Sequence, residues 1–244
     1  MPTPLGINLL YGLLGLFVLS NVAAIVFGKS SADGTRHSIG WLQRSTSLQL
    51  AVMAWLFWGL DMRGGALGRF SLLIALGMSI SFIADLIMAG ASESKGRLLA
   101  GIAVFGAAHV VYLLAYVAGA RELRAVHWVV FLGAALIMIV IALVIWYAFV
   151  RNPAGDSLLN FGALGYTVLI AIMVAGAGML VYGRHALWPL LLGALLFFVS
   201  DAILGNSLFR RNKWRYVSEV VWLTYIAGQA LIVWSNLFGW QIIQ

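Results

Sequence analysis

The 244-residue chain contains no cysteine, and only 9% of its residues are charged. Without a thiol it can form neither a disulfide framework nor a thiolate metal site, and it has no thiol nucleophile. Hydrophobic residues make up 63% of the chain, whereas a soluble domain is about 45–50% apolar. The composition therefore predicts a polytopic helical membrane protein, because a barrel would show short alternating segments instead of long apolar runs.

Histidine is scarce as well, with four residues and neither an H-E-x-x-H motif nor a cluster. We therefore expect no metal and no other cofactor. The lysines, Lys29, Lys95 and Lys213, all lie between apolar runs, which disfavours a retinal protein because no intramembrane amine is left for a Schiff base. The net charge of +7 resides mostly in short loops. It predicts topology signals and contacts with membrane lipids, and no nucleic-acid partner.

Long apolar segments recur along the whole chain and predict one all-α integral membrane domain over residues 1–244, with eight transmembrane helices in one bundle. They lie at about 6–27, 46–60, 70–90, 98–118, 127–149, 160–182, 186–207 and 217–238. The second segment is short unless its helix begins near Arg44. The connection 28–43 combines Gly, Ser and charge, which predicts a flexible loop.

The basic residues are distributed unevenly between the loops. Odd-numbered loops hold 10 Lys and Arg, and even-numbered loops hold 5. The positive-inside rule then places the odd loops in the cytoplasm and both termini outside. We expect a multi-pass protein of a bacterial inner membrane. The third and seventh helices run in the same direction, so Asp85 and Asp201 are predicted at similar depth in the cytoplasmic half.

Two apolar runs share one pattern, G-x4-F-x2-D-x-I-[LM], and carry an acid at the same place. These runs are GMSISFIADLIM, which contains Asp85, and GALLFFVSDAIL, which contains Asp201. The offset of 201 − 85 = 116 residues also places His109 on Tyr225. We therefore hypothesise a 4+4 pseudo-repeat, in which each half contributes an acid and a ring.

A carboxylate in the middle of a membrane helix costs about 2.5–3.5 kcal/mol on insertion scales. A polar contact between membrane helices returns only about 0.6 kcal/mol on average. This comparison favours a functional role for Asp85 and Asp201 over a packing role. Two neighbouring acids in a low-dielectric site cannot easily both ionise, so one is expected to donate a proton while the other remains a base. The pair suits acid/base hydrolysis of an acid-labile ether-type bond.

Further polar side chains lie on the fourth and eighth helices. His109 and Tyr112 lie on one face of the fourth helix, and Tyr225 and Gln229 on one face of the eighth. They are predicted to contact substrate or water; bonds to other helices are an alternative of about equal weight. The same two interpretations apply to Tyr166 in the sixth helix.

A dense basic segment, residues 210–215, follows the seventh helix and contains Arg211. It is predicted to bind the phosphate of a lipid whose tail reaches toward the acids. Glu219 begins the eighth helix, close to the membrane interface. We expect it to be solvated or paired with this basic segment.

Four segments in order resemble the YhhN family of lysoplasmalogenases, which are eight-helix membrane enzymes. They are FIADLIM, GIAVFGAAHVVYLLAY, GALLFFVSDAIL and TYIAGQALIV. The resemblance implies hydrolysis of the vinyl ether bond of a lysophospholipid, the lysoplasmalogen, to a fatty aldehyde and glycerophosphoethanolamine or glycerophosphocholine. It also implies that Asp85 and Asp201 are the catalytic pair. The chemistry begins with protonation of a vinyl carbon, and a carboxylate can stabilise the resulting oxocarbenium-like ion.

Two positions depart from the family pattern. Arg44–Ser45 stands where members tend to have Lys-Pro, and Ala84 where Gly often precedes the first acid. The charge at Arg44 is preserved, so a role in headgroup binding is still expected. A proton-coupled transporter or lipid carrier that uses the same carboxylates is an alternative function, and so is a lipid-binding scaffold.

Overall fold

The computed structural model describes residues 4–31, 34–89 and 94–242. Eight α-helices account for most of them, which confirms the predicted all-α class. They are α1 Pro4–Val26, α2 Gly40–Leu56, α3 Gly68–Met88, α4 Lys95–Glu122, α5 Trp128–Ile145, α6 Ser157–Gly183, α7 Trp188–Phe209 and α8 Val217–Ile242. Residue 90, the predicted end of the third run, and residues 32 and 33 of the first connection lie outside the described residues.

Short π-helical segments, Phe57–Met62 and Trp146–Val150, continue α2 and α5, and a 3-10 turn, His185–Leu187, precedes α7. Within the described residues, seven helices are long and apolar enough to cross a membrane. The exception is α2, which has 17 residues. The chain is thus a multi-pass membrane protein, and the eighth span stays a prediction.

The first connection, predicted as a flexible loop from its composition, contains a short hairpin that the composition did not indicate. Strands β1, Lys29–Ser30, and β2, Arg36–His37, form a small antiparallel hairpin. The backbone N–H of Arg36 donates to the carbonyl oxygen of Arg215 at 2.7 Å, which docks the hairpin against the segment before α8. The Gly- and Ser-rich composition gave no sign of this docking, because the contact partner lies far away in sequence.

Helix α2 begins at Gly40, six residues before the predicted start at 46. Its first turns contain Ser45 and Thr46, which a hydropathy profile scores as polar. Their hydroxyl groups donate to backbone carbonyls three residues earlier, at 2.7 and 2.8 Å. Because each hydroxyl is bonded within its own helix, these residues are compatible with a helical start.

Five helices, α3, α4, α6, α7 and α8, surround a central core, with α2 packed against α3 and α8. Helix α1 packs outside on α2, and α5 packs outside on α6. Apolar side chains cover α5 all round, and only Ala135 and Ala142 are buried. Such a helix suits a position facing lipid rather than water.

Contacts between loops divide them into two faces. On one face, the hairpin contacts Arg215, Asn152 contacts Phe209, and Lys95 pairs with Asp156. These contacts link the first, seventh, fifth and third loops. On the other face, Glu122 accepts from the backbone of Arg69 and Phe70, and Arg184 donates to Leu123. The odd-numbered loops therefore share one end of the bundle, and the even-numbered loops share the other.

Candidate functional site

Asp201 lies in α7 within a group of three polar side chains. The hydroxyl of Tyr166, from α6, donates to Asp201 Oδ2. The same hydroxyl lies 2.9 Å from His109 Nε2, and His109 Nε2 lies 3.9 Å from Asp201 Oδ2. His109 is fully buried, and its Nδ1 has no hydrogen-bond partner among the residues described. Tyr166 thus joins the imidazole to the carboxyl group.

Asp85 lies near the end of α3 in a second group. Its Oδ2 accepts hydrogen bonds from Ser47 Oγ at 2.5 Å and from Tyr225 Oη at 2.8 Å. Gln229 Nε2 reaches Tyr225 Oη at 3.4 Å, and Tyr112 Oη donates to Gln229 Oε1 at 2.7 Å. Four helices, α2, α3, α4 and α8, thereby meet around one carboxyl group. Since a carboxylate is an acceptor, this arrangement suits the ionised form of Asp85.

An aromatic cluster connects the two groups. The ring of Phe197 lies 4.8 Å from His109 and 5.1 Å from Tyr225, centroid to centroid. Phe105 contacts both Phe197 and Tyr225 edge-on. The two carboxyl groups are close enough to interact electrostatically. The structure therefore brings both predicted acids into one region, without a direct hydrogen bond between them among the described contacts.

A pocket with a cavity volume of about 70 Å³, which we call the inner pocket, lies between α4, α6 and α7. Its wall is mostly apolar, and Asp201, Tyr166 and Thr167 are its polar residues. The Thr167 hydroxyl donates its hydrogen bond to the backbone carbonyl of Ala163 in the same helix. Asp201 and Tyr166 therefore supply the polar groups that a molecule in the inner pocket would meet.

A second cavity, with a volume of about 150 Å³ and here called the surface pocket, lies at the end of the bundle that carries the odd-numbered loops. Polar side chains line it: Asn152, Asp156, Asn160 and Arg211. Lys95 Nζ lies 2.6 Å from Asp156 Oδ2. This hydrogen bond lowers the pKa of the Asp156 carboxyl below its usual range, so this carboxyl is ionised at neutral pH.

The two carboxyl groups differ in access. Asp201 lines the inner pocket, and its side chain is 14% exposed. Asp85 is not on that wall and is covered by α8, which packs on α3. The corresponding helices of the other half, α7 and α4, are held apart where the inner pocket lies between them. Only one of the two motif aspartates thus faces this pocket.

The predicted substrate contacts have different positions. Tyr112, Tyr225 and Gln229 are buried around Asp85, and His109 is buried beside Asp201. Arg211 is exposed at the surface pocket. Arg44 lies in the second turn of α2, three residues before Ser47, and its guanidinium approaches Gly40. Direct contact of these side chains with substrate stays a prediction.

Two residues in direct contact with the acids received little weight in the sequence. Tyr166 is one tyrosine in an apolar run, and Ser47 is one of several hydroxyl residues near the start of α2. The partner acids are 35 and 38 residues away, respectively. The only sign of either residue in the sequence was a polar side chain within an apolar helix. No local pattern indicated which acid it would contact.

Glu219 was predicted to be solvated or paired with the segment 210–215, and both interpretations were wrong. It is 4% exposed, and Arg36 Nη1 of the hairpin lies 3.7 Å from Glu219 Oε1. The hairpin covers the beginning of α8, so a cation from the first loop reaches an acid that the sequence placed in water.

Across residues 4–31, 34–89 and 94–242, no group of three His, Cys, Asp or Glu side chains is arranged to hold a metal ion. The site there consists of two carboxyl groups with hydroxyl, amide and imidazole partners. Such groups can donate, accept and hold protons.

Fold and site together define a multi-pass helical membrane protein with two buried acids, one of them on the wall of an apolar pocket. The chain belongs to the YhhN family, whose model matches residues 41–236. This match extends from α2 into α8, contains both carboxyl groups and their bonded partners, and confirms the resemblance of the sequence. The family is associated with hydrolase activity. Searches of curated proteins and of solved structures give no match to the chain.

Proposed function

We propose that the protein is a lipid hydrolase that cleaves the vinyl ether bond of a lysoplasmalogen. The products are a fatty aldehyde and glycerophosphoethanolamine or glycerophosphocholine. One observation carries the proposal: Asp201 and Tyr166 lie on the wall of an otherwise apolar pocket, next to a charged pocket at the end of the bundle. A single-chain lipid has the same distribution of polar and apolar parts.

Asp201 is the group placed to donate the proton. Its Oδ2 is held by the Tyr166 hydroxyl, and Oδ1 has no hydrogen bond with any described residue. A proton on Oδ1 can therefore be given to a vinyl carbon in the inner pocket. Such general acid catalysis contributes about 10²- to 10⁴-fold to the rate.

Asp85 is the partner that remains ionised. The hydroxyl groups of Ser47 and Tyr225 both donate to its Oδ2, which stabilises a carboxylate. Its negative charge lies within electrostatic range of Asp201. A fixed charge in a low-dielectric site stabilises a developing cation strongly, because little solvent is present to screen it.

The reaction then needs one water and no other co-reactant. Asp201 transfers its proton to the vinyl carbon distal to the ether oxygen, which leaves an oxocarbenium ion stabilised by Asp85. Water adds to the carbon next to the oxygen and returns a proton to Asp201. The hemiacetal formed in this way transfers its hydroxyl proton to the ether oxygen as the carbon–oxygen bond breaks, which releases the aldehyde and the glycerol hydroxyl.

The test is aldehyde release by the purified protein in detergent, beside Asp85→Asn and Asp201→Asn. We expect release by the wild type and a loss of at least about 100-fold in each variant. Transport or binding of the lipid without product, in a protein that is folded and monodisperse, would favour the carrier function instead. A carrier cannot form product, so the assay separates the two functions.

A further inference from the structure

The surface pocket and the inner pocket are adjacent and share part of their lining. Leu98, Leu208 and Phe209 line both of them. These three apolar side chains form the neck between a polar rim and the wall that carries Asp201. A ligand that fills both pockets must therefore be polar at the rim and apolar at the neck.

Among the charged residues that line the surface pocket, Arg211 has no hydrogen bond or ion pair with any residue in the described ranges. Asp156 is neutralised by Lys95. The neighbouring Arg210 is occupied, because its guanidinium donates to Arg151 O and Tyr147 O, each at 3.1 Å. The pocket thus presents one uncompensated positive charge, which matches an anion with a single negative charge.

The polar rim is held in place by its own hydrogen bonds. Asn152 Nδ2 donates to Phe209 O at 2.9 Å, and Asn152 N donates to Asn160 Oδ1 at 3.0 Å. Asn160 Nδ2 returns a bond to Asn152 O at 2.8 Å. These bonds fix the end of α7, and with it Phe209 at the neck, relative to the start of α6.

The distance along α7 also fits. Asp201 precedes Phe209 by eight residues, which is about 12 Å of helix at 1.5 Å per residue. The side chain of Arg211, two residues further on, can extend back along part of this distance. In a glycerophospholipid with a 1-alkenyl chain, the three carbons of glycerol separate the phosphate from the vinyl ether. A phosphate at Arg211 therefore leaves the ether bond close to Asp201.

We propose that the surface pocket is the headgroup subsite of this site, where Arg211 binds a phosphodiester anion while the glycerol passes the neck and the ether bond reaches Asp201. This assignment rests on the proposed hydrolase function and adds the recognised anion and the residue that binds it. Of the basic segment after α7, Arg211 is the residue assigned to the ligand.

The test measures binding, so that it does not depend on turnover. The probe is a 1-O-alkyl lysophosphatidylethanolamine, whose saturated ether cannot be cleaved by vinyl protonation; the comparison ligand is the matching 1-O-alkylglycerol without phosphate. In Arg211→Gln we expect the dissociation constant of the phosphate-bearing probe to rise about 10-fold or more, because a charge-assisted hydrogen bond is lost. Binding of the alkylglycerol should be unchanged.

Two controls sharpen the result. Lys213→Gln removes a cation from the same segment outside the two pockets and should leave both dissociation constants unchanged. Arg211→Lys keeps the charge and should restore part of the affinity. Equal binding of the probe by wild type and Arg211→Gln would overturn the proposal.

Competition separates a lipid headgroup from free phosphate. We expect inorganic phosphate at millimolar concentration to displace the probe poorly, because it lacks the apolar part that fills the neck. Efficient displacement would show a site for free phosphate and overturn the headgroup assignment. The two proposals can also fail separately. If the wild-type protein released no aldehyde, but Arg211→Gln bound the probe more weakly than the wild type, the result would contradict the proposed function and support the headgroup subsite.

Discussion

The hydroxyl of Tyr166 lies between His109 Nε2 and Asp201 Oδ2 and has a contact with each. It donates to one carboxyl oxygen of Asp201, and the other carboxyl oxygen has no hydrogen bond with any described residue. His109 lies behind it, fully buried, against the ring of Phe197. The tyrosine therefore positions Asp201, and the histidine positions the tyrosine.

We expect Tyr166→Phe to lower kcat by roughly 10- to 100-fold, because a hydrogen bond to an ionisable group contributes about 1.5–3 kcal/mol. KM should be nearly unchanged, since the ring still forms the pocket wall. The measurement is steady-state aldehyde release. Tyr182→Phe is the matched control, because Tyr182 lies in the same helix and is 56% exposed, and it should keep wild-type kinetics. A rise in KM with kcat preserved would show that Tyr166 contacts substrate and does not position the acid.

Arg36 connects the hairpin to the start of α8 and to the end of α1. Its guanidinium lies 3.7 Å from the buried Glu219 and also donates to the carbonyl of Ile25 at the end of α1. Arg36→Gln leaves the Glu219 carboxylate without its cation. A fully buried pair broken in this way costs about 3–5 kcal/mol. Because the Arg36 side chain is 21% exposed, we expect about 1–3 kcal/mol.

Thermal unfolding in detergent measures this cost, at roughly 2–4 °C per kcal/mol for a chain of this size. Lys29→Gln is the control, because Lys29 is exposed in the same hairpin, and its melting temperature should match that of the wild type. Equal melting temperatures for Arg36→Gln and Lys29→Gln would contradict a stabilising role for the pair.

The sequence singled out the two acids together with Tyr225 and His109, which lie beside them, and gave little weight to two further partners, Ser47 and Tyr166. Asp85 and Asp201 stand out because a carboxyl group in an apolar run is costly. Tyr166 and Ser47 carry smaller costs, so their polarity alone gave no reason to prefer them over other hydroxyl residues. Glu219 lies near a helix start, where exposure is the ordinary expectation, and its burial depends on a hairpin contact that no local pattern encodes.

At the level of elements, α7 and α8 approach closely at two glycines. A Cβ added at Gly228 would lie 2.7 Å from Gly193 O and 3.0 Å from Phe197 N, both backbone atoms. A Cβ at Gly193 would lie 2.6 Å from Gly228 O. Small residues allow such close packing of membrane helices. The crossing lies beside Phe197, and thus fixes the position of the aromatic cluster that connects the two acid groups.

Gly228→Ala is expected to lower the melting temperature, because backbone atoms cannot move aside as a flexible side chain can. Overpacking typically costs about 1–3 kcal/mol. Gly178→Ala is the matched control: Gly178 is also helical and has no atom within 4 Å of the added Cβ. It should be neutral or slightly stabilising, since Ala favours a helix over Gly by roughly 0.5–1 kcal/mol. Destabilisation of both variants to the same extent would contradict a specific role for the close approach of α7 and α8 at Gly228.

Contacts between helices follow the 116-residue offset that the sequence suggested. His109 of the first half lies beside Asp201 of the second, and Tyr225, its counterpart at 109 + 116, donates to Asp85 of the first. Helix α4 packs on α6 as α8 packs on α2. This reciprocity is what two related halves would produce. The 4+4 pseudo-repeat stays a prediction that these contacts support.

For the whole molecule, the separation of odd and even loops determines its orientation in the membrane. The face with the odd-numbered loops carries the larger number of basic residues, 10 against 5. Exposed aromatic residues occur near both ends of the bundle: Tyr147, Trp214 and Tyr216 near the odd loops, and Trp128 and Trp188 near the even loops. Such residues favour the two membrane interfaces. We therefore expect the odd loops, and the opening of the surface pocket, to face the cytoplasm.

The absence of cysteine makes this orientation measurable without background, because one introduced thiol is the only one in the chain. Ala154→Cys, in the fifth loop, should be protected from a membrane-impermeant maleimide in intact cells. Ala66→Cys, in the second loop, should be labelled. Both should react after permeabilisation, which is the control for accessibility. The reverse pattern in intact cells would contradict the orientation.

A third variant tests the eighth span. Helix α2 and its π segment together extend from Gly40 to Met62, 23 residues, which is enough to cross a bilayer of about 30 Å. Ser31→Cys, before α2, should then behave like Ala154→Cys and unlike Ala66→Cys. Identical labelling of positions 31 and 66 would show that α2 does not cross the membrane.

Composition and hydropathy predicted the number and positions of the helices best, because the bilayer requires long apolar helices whatever their partners are. They placed all eight helices, although the start of α2 was displaced by its polar first turns. The sequence could not predict which motif aspartate faces the inner pocket. That difference arises where α4 and α7 are held apart and α3 and α8 are not, which is a property of packing between distant helices.

Isotope incorporation tests whether the protein donates a proton to a vinyl carbon. The purified protein is incubated with a lysoplasmalogen in D₂O. The released aldehyde is reduced at once to the alcohol, and the mass of the alcohol is determined by mass spectrometry. We predict one deuterium on the carbon next to the aldehyde carbon for the wild type, and no product above background for Asp201→Asn. Preformed aldehyde incubated with the protein in D₂O controls for later exchange. Aldehyde from the wild type without deuterium at that carbon would contradict the account.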